Sequence, residues 1–383
     1  MEISKDILYV GVDDKEIDLF EGQYKVPNGI SYNSYIIVDE KIAVVDSVDR
    51  NFGDKWLSNI HYVLGQKNPD YLIVQHMESD HSANIMSFAE KYPDAVIVAS
   101  QKAFGMMKNF FGTDFTDRRL VVGEGDTLSL GKHSLTFLTA PMVHWPEVIV
   151  SYDSYEKVLF SADAFGKFGA LDTDEEWADE ARRYYIGIVG KYGIQVQALL
   201  ERAAKLEIEK ILPLHGPVLD DNLSYYIGLY DTWSKYIPEE KGVLIAYTSI
   251  YGNTKKAAEM LCEKLTAEGE KVKIYDLARD DFFAAVGDAF RFDRVVLATT
   301  TYNGDMFPDM RKFIFALLER GFKNRKLAFI ENGSWGPIAA KKMKAMFEAS
   351  EGIEFLENTV KILSALRGDS LTQLENLKCE LLK

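Results

Sequence analysis

Cysteine is almost absent: the 383 residues hold two, Cys262 and Cys379. They cannot supply a four-cysteine iron or zinc site, and they offer at most one disulfide to a chain long enough for two ordinary cores. A reducing compartment is expected. Positive charge is in deficit too. Forty-four Lys and Arg against fifty-nine Asp and Glu leave a formal charge of -15, the wrong sign for gripping a phosphate backbone, which argues against nucleic acid as a partner. No apolar run approaches the roughly 18 to 20 residues that span a bilayer, and the opening MEISKDILYVGVDDKEIDLF has neither the basic nor the apolar region of a signal peptide. The expectation is a cytoplasmic protein without a membrane partner. Histidine is scarce at six residues, so a metalloenzyme would have to concentrate them.

With 47% hydrophobic and 27% charged residues, the composition is that of a globular chain. In the first half, Asn33 to Val48 and Ser129 to Pro141 each read as two apolar runs around a polar turn, the pattern of a β-hairpin. Strand-like Tyr71 to Val74 and Ala95 to Ala99 alternate with amphipathic helical stretches at Asp54 to Leu64 and Ser82 to Lys91, which predicts a mixed α/β layered domain. The segment DTWSKYIPEEKG then combines a proline, a charge run and a glycine, which places a boundary near Pro238 and domains at 1–238 and 239–383. Beyond it the texture becomes regular. Apolar runs at Val243, Val272, Arg294, Lys326 and Val360 alternate with helical patterns from Thr254, Asp281, Pro308, Pro337 and Leu371. Five βα units in about 140 residues predict a doubly wound parallel sheet.

The densest chemistry follows the strand Tyr71 to Val74, in His76-Met77-Glu78-Ser79-Asp80-His81. Alternation along an extended loop points His76, Glu78 and Asp80 to one side, and the turn into a helix brings His81 round. Imidazole with carboxylate suits iron, manganese or zinc. The competing reading is a solvated acidic loop with Asp80 as a helix cap. Further donors sit in equivalent places: His144 after Leu135 to Ala140, Asp163 after Val158 to Ala162, and His215 after Ile211 to Leu214. Each follows an apolar run, so the three would lie along one edge of a sheet. His61, in a helical pattern, and His133, in a hairpin turn, read as ordinary surface residues.

His76, Glu78, Asp80, His81, His144, Asp163 and His215 together resemble the metallo-β-lactamase superfamily, and within it the flavodiiron protein branch. Hydrolases of the superfamily usually carry His where Glu78 stands. Hard, negative oxygen from Glu78, Asp80 and Asp163 instead favours a redox iron over zinc. The resemblance implies an N-terminal αββα sandwich. It also implies that His76, Glu78 and His144 bind one iron, that Asp80, His81 and His215 bind the other, and that Asp163 bridges them. His81 is not metal-bound in every member.

A second constellation opens the regular half. Thr248, Ser249, Ile250, Tyr251, Gly252, Asn253 and Thr254 join its first strand to a helix, so hydroxyls and helix N-terminal N–H groups can cradle a phosphate. The segment is neither GxGxxG nor GxxxxGK[ST]. Two more loops follow neighbouring strands at the switch point of the sheet: Thr301, Tyr302, Asn303 and Gly304, and then Ser334, Trp335 and Gly336. Tyr302 and Trp335 offer flat faces to a ring system, although either could be plain packing. Together the loops resemble the FMN site of flavodoxins.

Taken over the whole chain, the resemblance implies an FMN-dependent di-iron oxidoreductase that reduces dioxygen to water, nitric oxide to nitrous oxide, or both. In the segment after Asp163, Phe168 stands where other members carry His, which bears on the choice between the two gases. With no rubredoxin domain in the sequence, electrons would come from a separate rubredoxin or a reduced deazaflavin. The family implies a head-to-tail homodimer or a dimer of dimers. The alternatives are a binuclear zinc hydrolase, which leaves the flavin loops unexplained, and a flavodoxin-like electron carrier, which leaves the ligand set unexplained.

Overall fold

The computed structural model describes residues 2–383, which divide into two compact units between Asp231 and Thr232. In the first unit, a six-stranded sheet runs β1 (Ile7–Tyr9), β2 (Tyr35–Val38), β3 (Ile42–Val45), β4 (Tyr71–Val74), β5 (Val96–Ala99) and β6 (Arg119–Val121), in that spatial order. β2 and β3 form the antiparallel hairpin expected from the sequence, and β3 to β6 are parallel. A five-stranded sheet follows, again in chain order: β7 (Thr127–Ser129), β8 (Ser134–Thr139), β9 (Ile149–Asp153), β10 (Val158–Phe160) and β11 (Lys210–Leu212). One core is shared by both sheets, with Ile37, Val45, Ile73 and Val98 from the first meeting Leu135, Phe137, Phe160 and Leu212 from the second. Helix Gly53–Leu64 buries Trp56, Leu57, Ile60 and Leu64 at helical spacing.

β8 and β10 each pair antiparallel with β9, and β10 pairs parallel with β11. β8, β10 and β11 therefore point the same way, and the segments after them emerge along one edge. That common direction brings His144, Asp163 and His215 together. The Ser82 to Lys91 stretch, expected as one helix, is two: a single turn Ser79–Ser82 and the helix Ile85–Lys91.

In the second unit, β12 (Glu240–Tyr247), β13 (Val272–Asp276), β14 (Phe292–Tyr302), β15 (Lys326–Asn332) and β16 (Val360–Ile362) form a parallel sheet in the order β13-β12-β14-β15-β16. The order reverses direction at β12, so a crevice opens at the C-terminal ends of β12 and β14. Helix Asn253–Ala267 lays Ala257, Ala258, Leu261 and Leu265 on Val243, Ile245 and Val296, while Leu244 and Leu297 are buried as well. Burial on both faces explains why these strands read as continuous apolar runs.

The division between the units falls ahead of Pro238. Residues 232–238 pack with the second unit: the Tyr236 carbonyl accepts from Arg325 Nη1 at 2.7 Å, and Trp233 Nε1 donates to Glu239 Oε2 at 2.8 Å. Proline and charge mark where the backbone turns, whereas contacts decide where a unit begins. Among the described residues, no helix is long and apolar enough to cross a membrane.

Candidate metal centre and cofactor pocket

The loop after β4 and the loops after β8, β10 and β11 converge on two adjoining groups of donors. His76, Glu78, His144 and Asp163 form one, and Asp80, His81 and His215 the other; within each group the ligand atoms lie within 4.8 Å of one another. In the first, Nε2 of His144 is 2.9 Å from Glu78 Oε2 and 3.1 Å from Asp163 Oδ2, while Nε2 of His76 is 3.3 and 3.4 Å from the same two oxygens. In the second, His81 Nε2 and His215 Nε2 are 3.0 Å apart, and each is 3.3 Å from Asp80 Oδ2. Asp163 turns its two oxygens to different groups. Oδ2 faces His76 and His144, and Oδ1 faces His81 at 3.2 Å and His215 at 3.7 Å.

This arrangement fits a metal pair better than it fits itself. His76, His81, His215 and Asp163 are buried, yet both oxygens of Asp80 and Oδ1 of Asp163 have no hydrogen-bond partner. The Nδ1–H of His215 donates to the Ser31 carbonyl at 2.7 Å, which leaves its Nε2 as a lone pair 3.0 Å from Nε2 of His81, whose own Nδ1 has no partner. Buried carboxylate oxygens without hydrogen-bond partners are costly, and a cation beside them removes the cost. Bonds of about 2.1 Å at right angles put donor atoms about 3 Å apart, the spacing found here.

Two residues that carried no sequence signal orient the ligands. Glu147, buried two residues after Trp145, places Oε1 2.8 Å from His76 Nδ1 and 2.9 Å from the Met77 N–H, so Nε2 of His76 is the nitrogen turned to the cluster. Asp46, wholly buried with φ 54°, accepts the Gln75 N–H at 2.7 Å and fixes the backbone entering the ligand loop. Ala162, just before Asp163, is also left-handed at φ 50°. Such strain in a residue with a Cβ is typical of a site held in place by its surroundings. Phe168 is buried against Phe20 and Tyr184, whose rings both pack on His215.

The electrostatics follow from the crowding. Burial alone would push His144 down, but hydrogen bonds to Asp163 and Glu78 overcome it and raise the imidazole to about 9. Burial would raise Glu78, yet His144 and His76 hold it at about 2. For His144 the folded value lies above the ordinary 6.5, so its stabilisation of the metal-free protein is full below pH 6.5 and lost as pH rises through about 9. For Glu78 the folded value lies below 4.5, so its contribution is present above pH 4.5 and lost as pH falls toward 2. Chelated protein is therefore expected to lose Tm between pH 6.5 and 9, while metal-loaded protein, whose imidazoles are already neutral, stays flat. A thermal scan of both forms across that window is the check, and parallel curves would contradict it.

In the second unit, the crevice is a cavity of about 540 Å³ lined by Ser249, Ile250, Tyr251, Asn253, Thr254, Tyr302, Asn303, Gly304, Ser334, Trp335 and Gly336. Thr301 lines it too, while its hydroxyl caps helix Ala339–Met346 by accepting the Ile338 N–H at 2.9 Å. Thr300, Asn332, Gly333 and Ser364 complete the lining. Two expected residues do not. Thr248, directly after β12, is buried with its hydroxyl 2.6 Å from that of Thr299, and Gly252 lines a neighbouring cleft. Gly252 has φ +88°, the conformation that turns the chain into helix Asn253–Ala267, whose first turn has no side-chain cap. Trp335 is 96% and Tyr251 92% exposed. Large aromatics left bare around a concave pocket are surface that a planar ligand can cover.

The sequence-based assignment of His133 to the surface is overturned: it is wholly buried, with Nδ1 2.9 Å from Asp153. His61 is exposed as expected.

Residues 30–216 match the ODP family beta lactamase and residues 244–354 a flavodoxin domain. That pairing defines a two-domain metalloflavoprotein oxidoreductase. A nitric oxide reductase of Moorella thermoacetica is 32% identical, covering 91% of this chain and 90% of that one. Among solved structures, rubredoxin oxygen:oxidoreductase from Desulfovibrio gigas superposes with a TM-score of 0.90 at 26% identity, over 100% of this chain and 96% of that one. The flavodiiron protein from Giardia intestinalis gives 0.86 at 27%, over 100% and 96%. The chain belongs to the flavodiiron proteins, and its cofactors are FMN and two irons.

Proposed function

We propose that this protein is a cytoplasmic gas reductase that takes dioxygen to water, nitric oxide to nitrous oxide and water, or both. The observation that carries the reading is Asp163, whose two oxygens face two separate groups of histidine and carboxylate donors. His76, Glu78 and His144 would hold one iron and Asp80, His81 and His215 the other, within the unit that ends at Asp231. The pocket of the unit that begins at Thr232 would hold FMN, with its phosphate at the start of helix Asn253–Ala267. When bound, a ferrous pair and reduced FMN together supply the four electrons that dioxygen needs, or the two that join two nitric oxide molecules.

The chain's own residues set the conditions for that chemistry. Phe20, Phe168 and Tyr184 make an apolar, water-poor wall beside His215, suited to small uncharged gases. Protons must be delivered as well. Glu21, exposed beside the buried Phe20, has its carboxyl raised to about 7 by partial desolvation and the nearby Glu78 charge, so it can exchange a proton with solvent near neutral pH. Electrons would enter from rubredoxin or a reduced deazaflavin. A head-to-tail homodimer would place the FMN of one chain beside the irons of its partner.

Purified protein is expected to be yellow, to hold about two irons and one FMN per chain, and to consume gas anaerobically when reduced rubredoxin is supplied. Dioxygen and nitric oxide assayed side by side give the preference. Zinc in the metal site with no flavin would return the zinc-hydrolase alternative.

A further inference from the structure

The strands that carry metal ligands at one end carry a different cluster at the other. His133 immediately precedes β8, Glu156 lies in the turn between β9 and β10, and Asp6 immediately precedes β1 of the facing sheet. The ring of His133 is wholly buried, and its Nδ1 is 2.9 Å from Oδ2 of Asp153, which is itself buried. Asp153 also accepts the N–H groups of Tyr155 and Glu156, so it acts as a carboxylate acceptor and takes the Nδ1 hydrogen.

Nε2 is the ring nitrogen turned away from Asp153, and it has no hydrogen-bond partner. It points between two carboxylates, 3.6 Å from Asp6 Oδ2 and 3.9 Å from Glu156 Oε1, beyond hydrogen-bond reach. The three ligand atoms lie within 4.8 Å of one another. Tetrahedral bonds of about 2.0–2.2 Å separate donor atoms by about 3.4 Å, so closing on an ion needs only a small contraction. A carboxylate behind an imidazole whose far nitrogen faces further carboxylates is the arrangement that tunes metal-binding histidines.

We propose that Asp6, His133 and Glu156 form a site for a divalent transition-metal ion of the zinc class, distinct from the paired clusters. The ion would clip the strand after Asp6 to the second sheet, joining the two layers at the end away from His144 and Asp163. Without it, Lys132 holds Asp6 Oδ2 at 2.6 Å and Ser4 holds Glu156 Oε1 at 2.8 Å. Lys132 is half exposed and can swing out to solvent. The groups around the imidazole are the carboxylates of Asp6, Asp39, Asp153 and Glu156, the Lys132 ammonium and the Tyr155 ring. The hydrogen bond to Asp153 offsets burial and favours the protonated ring, so metal binding releases a proton and tightens as pH rises.

The test titrates zinc chloride into protein already loaded with iron and FMN, followed by calorimetry and by metal analysis after gel filtration. One zinc per chain is expected in addition to the retained iron. Glu156→Gln and Asp6→Asn should each weaken zinc about tenfold or more, and Lys132→Ala should strengthen it by removing the competing cation. Iron content, FMN content and gas turnover should be unchanged in all three variants, which shows that they fold. Anomalous scattering collected on either side of the zinc edge should place the ion about 2.0–2.2 Å from His133 Nε2. No added zinc, zinc gained only as iron is lost, or affinity indifferent to Glu156→Gln overturns the proposal.

Discussion

Replacing Asp163 by Ala is expected to abolish turnover of both gases while the protein stays yellow. Asp163 is the group common to both donor clusters, within 3.1 to 3.7 Å of Nε2 of His76, His81, His144 and His215. Its removal deletes the oxygens proposed to bridge the metals and one negative charge where two dications would sit within a few ångströms of each other. A fall of about a thousandfold, or about 4 kcal/mol of barrier, is the expected scale, with iron content falling in parallel. FMN should remain at one per chain, since the pocket is built from residues 249–364 of the other unit. Asp163→Asn separates the two contributions: it keeps the shape but not the charge, and it should behave like the Ala variant if charge is what holds the metals. Gas turnover and iron content measured together are the check, and normal turnover in Asp163→Ala would remove the bridge from the mechanism.

The cluster of candidate ligands was legible because each donor follows an apolar strand. Apolar runs ending at Val74, Ala140, Ala162 and Leu214 announce where a chain leaves a sheet, and side chains placed there share an edge. The parallel sheet of the second unit was legible for a similar reason, since burial on both faces writes continuous apolar runs. What stayed hidden depends on partners distant in sequence. Glu147 orients His76 across 71 positions, and nothing in Trp145-Pro146-Glu147 signals it. His133 sits beside a Gly-Lys turn that reads as surface, yet its ring is drawn inward by Asp153 and covered by Tyr155. Thr248 shares a motif with pocket residues but, directly after β12, is buried against the hydroxyl of Thr299. The boundary at Asp231 was hidden as well, because Arg325, far along the chain, captures the Tyr236 carbonyl.

A carboxylate placed in the phosphate loop should give the converse variant, colourless but iron-loaded. Ser249 Oγ accepts the Gly252 N–H at 3.1 Å at the mouth of the uncapped helix Asn253–Ala267. In Ser249→Asp the new oxygens would take those N–H groups for themselves, as an N-cap does, and would repel the FMN phosphate. At about 4 Å and an effective dielectric of 20, one pair of unit charges costs about 4 kcal/mol, roughly a thousandfold in Kd. Ser249→Ala, which removes one hydrogen bond without adding charge, should cost about tenfold or less. Flavin absorbance and iron content of the purified variants are the check. The two inactive variants then test the proposed assembly. In a head-to-tail dimer, an Asp163→Ala chain keeps its FMN and a Ser249→Asp chain keeps its irons, so a mixed dimer holds one intact FMN and iron pair across the interface. Differently tagged chains purified as the mixed dimer should recover up to half of the native turnover, because one of the two pairs is whole. If electrons instead passed from FMN to iron within a single chain, each chain of the mixed dimer would lack one cofactor, and no activity would return.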